Sequence, residues 1–199
     1  MKRILVAAAA TLAALTLALA SPIVGKPAPQ FTAVDSNGKS HALADFKGKT
    51  VVLEWTNDGC TYVRKHYGSG NMQKLQQEVT AVGGVWLSII SSAPGKQGYV
   101  HGAGANELTT SRGAHPTAVL LDPAGAIGRA YEAQTTPHMF VIDPTGNVRY
   151  MGAIDDQPTT DVTTIATARN YVREAFKAVS SGGKVAETAT DPYGCSVKY

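Results

Sequence analysis

Cysteine is the most reactive residue type in this 199-residue sequence, and the chain contains two, Cys60 and Cys195. Cys60 follows an apolar run and precedes a segment with helical spacing, so we expect it at a helix N-terminus. Unpaired backbone N–H groups and the positive end of the helix dipole favour the nucleophilic thiolate there. Arg64, Lys65 and His66 follow within about two helical turns and add positive charge. The position indicates a reactive thiol, with a small buried residue or half of a structural disulfide as the alternatives.

The order of the predicted elements describes the framework that must position Cys60. Strands alternate with helices first, and a hairpin and a helix finish the domain. This order implies an α/β fold with a mixed sheet covered by helices on both faces. Asp161 or Thr163 is expected to cap the last helix. The predicted strands cover 50–55, 85–90, 117–122, 139–143 and 148–154, and the helices cover 61–67, 72–82, 99–111, 127–131 and 165–179.

Residues 1–20 have the pattern of a secretory signal. Lys2 and Arg3 precede an apolar run that ends in Ala18-Leu19-Ala20, which is a small-x-small cleavage pattern. We therefore expect cleavage before Ser21 and a periplasmic or secreted protein. The apolar run is close to the length that spans a bilayer, so an uncleaved anchor is the alternative.

The rest of the chain divides into one domain over residues 21–181 and a polar C-terminal tail over 182–199. With 44% hydrophobic and 17% charged residues, the chain is not of the disordered class. Removing the two basic residues of the signal leaves 16 Lys and Arg against 15 Asp and Glu, a net charge of +1. This balance and the lack of a basic cluster exclude nucleic-acid binding. No membrane association is expected after signal cleavage.

Several segments, taken in order, resemble the thioredoxin-like superfamily. They are the strand VVLEW, the loop TNDGC, the segment TTPHMFVID and the hairpin PTGNVRYMG. The opening from Gly25 to Trp55 is similar to the alkyl hydroperoxide reductase/thiol-specific antioxidant branch, also called redoxin or peroxiredoxin-like. The resemblance covers Ile23 to Val179. It implies a thioredoxin-like fold with an extra N-terminal hairpin, and thiol-based redox activity.

The resemblance also implies a substrate groove beside Cys60. Thioredoxins carry a second cysteine three residues after the first, and here Val63 stands at that position. Thr136-Pro137 matches the family's cis-proline motif, which faces the reactive cysteine, and the backbone before that proline pairs with bound peptide. Thr136 and Pro137 are therefore expected to bind substrate. An ordinary proline at the start of a strand is the alternative.

The peroxide-binding pattern of true peroxiredoxins is not matched. Leu53 stands where that pattern has proline, Asn57 stands where it has threonine, and Pro137 aligns with its arginine. Asn57 still offers a hydrogen bond, and Arg64 or Arg129 offers charge, so Asn57 and Arg64 are candidate substrate-binding residues. These three departures argue against fast peroxidase activity.

Cys195 lies in a tail that can reach nearly any surface of the domain, since some fifteen residues span up to roughly 50 Å. Some peroxiredoxins carry a resolving cysteine in a C-terminal segment, so the resemblance implies that Cys195 closes a disulfide on Cys60 within the chain or in a homodimer. A redox pair, a permanent structural disulfide and two unpaired thiols all remain open, because connectivity is not readable from sequence.

These observations predict an exported thiol oxidoreductase that needs no cofactor and no metal. Its partners would be a thiol electron donor and a disulfide or peroxide substrate. The five histidines lack ligand spacing. A copper chaperone of this fold would need a second cysteine where Arg64 stands, although His138 is expected near Cys60. A non-enzymatic binding or scaffold domain with a structural Cys60–Cys195 disulfide is the alternative function.

Overall fold

The computed structural model describes residues 22–199, and the predicted signal segment lies outside the described residues. A seven-stranded mixed sheet forms the centre, in the order β2-β1-β5-β4-β3-β7-β8, and β6 pairs with β9 in a separate two-stranded sheet. The strands are β1 (Thr32–Asp35), β2 (Ser40–Ala42), β3 (Val51–Trp55), β4 (Val85–Ile90), β5 (Ala118–Leu121), β6 (Thr135–Thr136), β7 (His138–Ile142), β8 (Val148–Gly152) and β9 (Cys195–Ser196). The helices are α1 (Thr61–Gly68), α2 (Asn71–Thr80), α3 (Gly102–Ser111), α4 (Ala126–Ala130) and α5 (Tyr171–Ser180).

The central strand β3 explains how the site is positioned. All five of its residues are buried, because helices and loops cover both faces of the sheet there. It runs parallel to β4 and antiparallel to β7, with Trp55 opposite both Ile89 and His138. The C-terminal end of β3 and the N-terminal end of β7 therefore lie side by side at the same end of the strands. The loop to Cys60 follows β3 there, and Pro137 directly precedes β7.

Two apolar clusters pack on opposite faces of the sheet, since successive side chains of a strand point to opposite sides. Leu53, Trp55 and Phe140 belong to one cluster. Val52 and Met139 belong to the other, which includes residues of α2 and α5. The hairpin of β1 and β2 adds an antiparallel edge next to β5. This is the thioredoxin-like architecture that the resemblance predicts.

The last helix begins later than its spacing predicts. α5 starts at Tyr171, and the side chain of Asn170 caps it by accepting a 2.8 Å hydrogen bond from the Arg173 backbone N–H. Asp161 instead caps a short 3₁₀ turn over Val162–Ala166, in which no residue is buried. The prediction of a helix from Asp161 or Thr163 is wrong because this turn has no core to pack against.

The C-terminal residues follow the surface of the domain as an ordered segment. Ala189 forms a bridge with Met151, and β9 pairs antiparallel with β6. The backbone carbonyl of Lys198 accepts a 2.8 Å hydrogen bond from the backbone N–H of Ala93. The segment therefore contacts the domain from β8 to the loop after β4. Within residues 22–199, no helix has both the length and the apolarity required to cross a membrane.

Candidate active site

Cys60 is the residue that caps the N-terminus of α1, as its position in the sequence predicts. Its side chain is completely buried. The thiol donates a 3.0 Å hydrogen bond to the backbone carbonyl of Thr136, and the Cys60 carbonyl accepts the helical hydrogen bond from Arg64 N–H. Cys60 therefore lies between the start of a helix and the strand β6.

Asn57 shapes the loop in front of Cys60. Its side-chain oxygen accepts a 2.8 Å hydrogen bond from the Gly59 backbone N–H, and its amide nitrogen donates to the carbonyl of Gln97 at 3.1 Å. The backbone N–H of Cys60 closes the turn on the Asn57 carbonyl at 3.1 Å. Both side-chain groups of Asn57 thus bind the protein's own backbone, and the side chain holds the loop that presents Cys60.

The peptide bond between Thr136 and Pro137 is cis, as the motif predicts. Thr136 is buried, with its carbonyl towards the thiol of Cys60. Pro137 lies between β6 and β7 and separates the short strand from the central sheet. The contact with the Cys60 thiol is therefore made by the carbonyl of Thr136, the residue directly before this proline.

Cys195 lies against the same pair of residues. In the β6–β9 pair it is directly opposite Thr136, whose hydroxyl donates to the Cys195 carbonyl at 3.4 Å. The Cys195 side chain packs against the buried cluster that contains Cys60, and each thiol shifts the pKa of the other. Both cysteines are free thiols, with Cys60 buried and Cys195 half-buried. The fold therefore brings together two thiols that are 135 positions apart in sequence, from 60 to 195.

The two thiols differ in acidity. Burial opposes ionisation of Cys60, but hydrogen bonds from the Cys195 thiol, the Thr136 hydroxyl and the backbone N–H groups of Val63 and Cys195 outweigh it and lower the pKa of Cys60. Burial, together with the adjacent Cys60, raises the pKa of Cys195. The arrangement favours one thiolate, on Cys60, and one protonated thiol, on Cys195.

The cations after Cys60 are directed elsewhere. Arg64 donates a 2.7 Å hydrogen bond to the Asp58 carbonyl and is largely exposed. Lys65 is buried and donates to the carbonyl of Gln157 at 2.9 Å. Burial, with a contribution from Lys65, lowers the pKa of His66 to about 3, so its ring is neutral at pH 7. The expected positive field beside Cys60 is therefore replaced by hydrogen bonds.

Arg129 and His138 also have other partners. The Arg129 guanidinium lies 4.6 Å from the ring centre of Tyr199. His138 accepts a 3.2 Å hydrogen bond from the Gln134 backbone N–H, and burial lowers its pKa to about 4. No cluster of three or more His, Cys, Asp or Glu residues suited to a metal ion occurs within residues 22–199.

Tyr193 and Gly194 are the site residues that sequence reasoning missed. The Tyr193 hydroxyl donates to Asp155 and lies 3.3 Å from Nε2 of His66. Gly194 has a φ of 144°, and a Cβ there would lie 2.1 Å from the Thr136 carbonyl oxygen. A tyrosine and a glycine directly before a cysteine were the available signal, but their partners are far away in the chain.

A buried carboxylate lies in the strand that leads to Cys60. Glu54 accepts hydrogen bonds from the Trp86 indole and the Ser88 hydroxyl, both at 2.8 Å, and from the Tyr67 hydroxyl at 2.9 Å. Burial, followed by the neighbouring Glu54 carboxylate, raises the pKa of Tyr67 well above its ordinary value and keeps it a donor. The carboxylate ties β3 and β4 to α1 beneath the site.

Comparisons with known proteins agree with this architecture. The family model described as AhpC/TSA family matches residues 24–151. Thiol-disulfide oxidoreductase ResA from Bacillus subtilis (strain 168) is 27% identical over 124 residues, which cover 62% of this chain and 64% of that protein. The chain thus spans somewhat less than two thirds of the length of this curated relative.

Solved structures match over most of the chain. A hypothetical protein from Sinorhizobium meliloti 1021 has a TM-score of 0.76 at 23% identity, covering 90% of this chain and 96% of that chain. The thioredoxin domain of a thiol-disulfide oxidoreductase from Bacteroides vulgatus has a TM-score of 0.53 at 21% identity, covering 74% of this chain and 97% of that chain. These likenesses show the fold.

Proposed function

This chain belongs to the AhpC/TSA family, and we propose that it is a thiol–disulfide oxidoreductase in which Cys60 and Cys195 form the redox pair. The observation that carries the proposal is that Thr136 is in contact with the Cys60 thiol through its carbonyl and lies directly opposite Cys195 in the β6–β9 pair, with the pKa of Cys60 lowered and that of Cys195 raised. A lowered pKa marks a thiol that attacks as the thiolate and also leaves readily. The likeness to ResA supports the same reaction class.

The reaction follows from the two thiols. The Cys60 thiolate attacks one sulfur of a substrate disulfide, forming a mixed disulfide, and the other substrate sulfur leaves as a thiolate. Cys195 then loses its proton to solvent or to the departing thiolate and attacks the Cys60 sulfur. The Cys60–Cys195 disulfide forms, and the second substrate thiolate is released. Two electrons have passed to the substrate, and an external thiol donor returns them by the same exchange chemistry.

The substrate-facing roles are assigned to the residues around Cys60. Thr136 and Pro137 line the groove, with the Thr136 hydroxyl stabilising the thiolate. Asn57 keeps the loop before Cys60 in place through Gly59 and Gln97. Arg64 is exposed in α1, four residues after Cys60, and it can contact a substrate at the cost of its contacts with Asp58.

Peroxide reduction is the second candidate, because the family match includes thiol-specific antioxidants by name. In that reaction the Cys60 thiolate attacks a peroxide oxygen to give a sulfenic acid and an alcohol or water. Cys195 then attacks the Cys60 sulfur, forming the disulfide and releasing water. Asn57, which replaces the threonine of true peroxiredoxins, is bound to backbone groups rather than free for peroxide. Disulfide exchange is therefore the favoured reaction.

The site of action is proposed to be outside the cytoplasm. The basic, apolar and small-residue pattern of residues 1–20 supports export and cleavage before Ser21. An oxidising compartment allows a disulfide to persist until a donor reduces it. Mass spectrometry of the protein isolated from fractionated cells tests this, since a mature N-terminus at Ser21 is expected.

The function is tested with the reduced protein and oxidised glutathione, following disulfides by acid quenching and mass spectrometry. The native protein is expected to convert to the intramolecular Cys60–Cys195 form. Cys195→Ser should stop at a glutathione adduct on Cys60, and Cys60→Ser should lower the exchange rate at least a hundredfold. Ser196→Ala, which changes the neighbouring exposed side chain, is the matched control and should behave as the native protein does.

Two results would count against this function, and a third would keep it but change which chains pair. Unchanged exchange in Cys60→Ser would remove Cys60 from the reaction. Cysteine substitutions that alter only stability would favour the scaffold alternative. A disulfide that links two chains would replace the intramolecular pair by a homodimeric one. Hydrogen peroxide in place of oxidised glutathione, with the same variants, measures the peroxidase candidate.

A further inference from the structure

Cys60 has the lowered pKa of a reactive thiol, yet none of its surface is exposed. A buried sulfur cannot meet a large substrate unless its cover moves. The cover includes the C-terminal segment from Ala189 to Tyr199, which we call the strap. The strap places Cys195 on the Cys60 side chain and pairs with β6 opposite Thr136. Access to Cys60 therefore depends on this segment.

The strap has attachments on both sides of Cys195. Before it, the Thr190 hydroxyl accepts a 2.9 Å hydrogen bond from Ala153 N–H, and the Tyr193 ring packs 5.7 Å from that of Tyr62. After it, Tyr199 donates a 2.9 Å hydrogen bond to the carbonyl of Ala133. The strap is thus held at its ends while its middle crosses the site.

The middle of the strap is held more weakly. β9 is two residues long, Ser196 is exposed and Cys195 is half-buried. Its main-chain contacts are the short pairing with β6 and a 3.0 Å hydrogen bond from Val197 N–H to the Gln134 carbonyl. Isolated two-stranded pairs are marginal in water, so this part can open without unfolding the sheet.

We propose that the strap is a built-in occupant of the backbone edge at Thr135–Thr136, where it is paired as β9, and that an extended polypeptide containing a disulfide-bonded cysteine must displace it to react with Cys60. This rests on the proposed function, because it assigns a substrate class to the same site. Strap and substrate compete for one backbone edge, so they occupy it in turn. Regulation of Cys60 is therefore built into the C-terminal segment.

The competition also orders the two chemical steps. With the strap displaced, the Cys60 thiolate attacks one sulfur of the polypeptide's disulfide and forms a mixed disulfide with it. The second sulfur of the polypeptide's disulfide leaves as a thiolate. Return of the strap brings Cys195 to the mixed disulfide. Cys195 gives its proton to solvent or to the departing sulfur, and its own sulfur bonds to Cys60. The polypeptide sulfur leaves Cys60 as a thiolate or thiol, and the strap reoccupies the edge. No further oxidant is consumed.

Gly194 indicates which residue a substrate should carry directly before its reactive cysteine. A Cβ at this position would lie 2.1 Å from the carbonyl oxygen of Thr136, and the φ of 144° is one that L side chains rarely adopt. A substrate strand that follows the path of the strap meets the same carbonyl. Glycine is therefore expected to be the preferred residue directly before the substrate cysteine.

The first test measures how far the strap shields Cys60 in the reduced full-length protein. The readout is the rate at which iodoacetamide alkylates Cys60. Gly194→Ala should displace the strap and speed alkylation at least tenfold. Tyr193→Phe, which removes the hydroxyl contacts with Asp155 and His66, should give a smaller increase and serves if Gly194→Ala does not fold. Gly68→Ala, at a glycine with open space around it, is the control. Equal rates in native protein and both strap variants would overturn the proposal.

The second test uses the disulfide-linked dimer of the peptide Tyr-Gly-Cys-Ser and its Tyr-Ala-Cys-Ser counterpart. We expect the glycine peptide to react several-fold faster than the alanine peptide, and faster with Gly194→Ala than with native protein. Peptide exchange at one rate in both proteins would overturn the strap proposal and leave the proposed function standing. Failure of all disulfides, including oxidised glutathione, would contradict the proposed function itself.

Discussion

The Cys60 thiol lies 3.0 Å from the backbone carbonyl of Thr136, to which it donates a hydrogen bond. The same residue faces Cys195 across the β6–β9 pair. Its carbonyl accepts from the Cys60 thiol, and its hydroxyl, which donates to the Cys195 carbonyl at 3.4 Å, also interacts with the Cys60 sulfur and lowers the pKa of that thiol. This residue links the geometry of the strand to the acidity of the thiol.

Substituting Thr136 by valine tests that link. Thr136→Val keeps the shape of the side chain and removes the hydroxyl, so the pKa of Cys60 should rise, since hydrogen bonds to a thiolate favour the charged form. The ultraviolet absorbance of the thiolate, titrated in a Cys195→Ser background, gives the shift. Thr135→Val is the matched control because its hydroxyl donates to the Pro137 carbonyl instead. An unshifted titration in Thr136→Val would contradict the assignment.

Replacing the buried carboxylate of Glu54 should destabilise the fold. Glu54→Gln places amide N–H groups among donors from Trp86, Ser88 and Tyr67. Leaving buried donors unsatisfied costs about 1–3 kcal/mol of unfolding free energy. Urea unfolding at neutral pH measures the loss, with Glu78→Gln as a control for a partly exposed ion pair. Equal effects of the two substitutions would refute a structural role for the Glu54 cluster.

Two buried histidines predict acid sensitivity. Burial lowers the pKa of His138 to about 4 and, with Lys65, that of His66 to about 3. Since both values lie below the unfolded value of about 6.5, the unfolded chain binds more protons between these limits. Their contribution to stability is present above pH about 6.5 and is lost as the pH falls through about 4 and then about 3.

The expected slope is about 1.4 kcal/mol per pH unit for each histidine inside this window. Denaturant unfolding from pH 7 down to pH 4 gives the profile. His138→Gln should remove about half of the slope and leave the His66 part, whereas His115→Gln, at an exposed residue, should leave the profile unchanged. A profile that is flat in the native protein would show that these rings are not buried in neutral form.

Much of the fold is predictable from local pattern. The strands that end before Cys60 and begin after Pro137 have long buried apolar runs, which predict central strands. The start of α5 is not predictable in this way, because Asp161 and Asn170 are both good caps and only packing selects between them. Asn170 begins the longer helix, α5, because residues that follow it are buried in the core, whereas none of the residues in the turn after Asp161 is buried.

The site is predictable only in part. Cys60 and Thr136-Pro137 are recognisable from sequence motifs. The fold that those motifs indicate brings the two segments together. The path of the tail is not, because Tyr193 and His66 are 127 positions apart in sequence. The partners of Lys65 and His66 are distant in the sequence, so the short spacing to Cys60 could not show that these side chains bind elsewhere. Contacts of this kind require the folded chain.

The reduction potential of the Cys60–Cys195 disulfide tests the central claim most directly. It is measured by mass-resolved titration of the full-length protein in a thiol redox buffer. An exchangeable redox pair predicts a value above about −250 mV, in the range of thiol–disulfide oxidoreductases. A value below about −300 mV would mark a structural disulfide and contradict the catalytic roles of both cysteines.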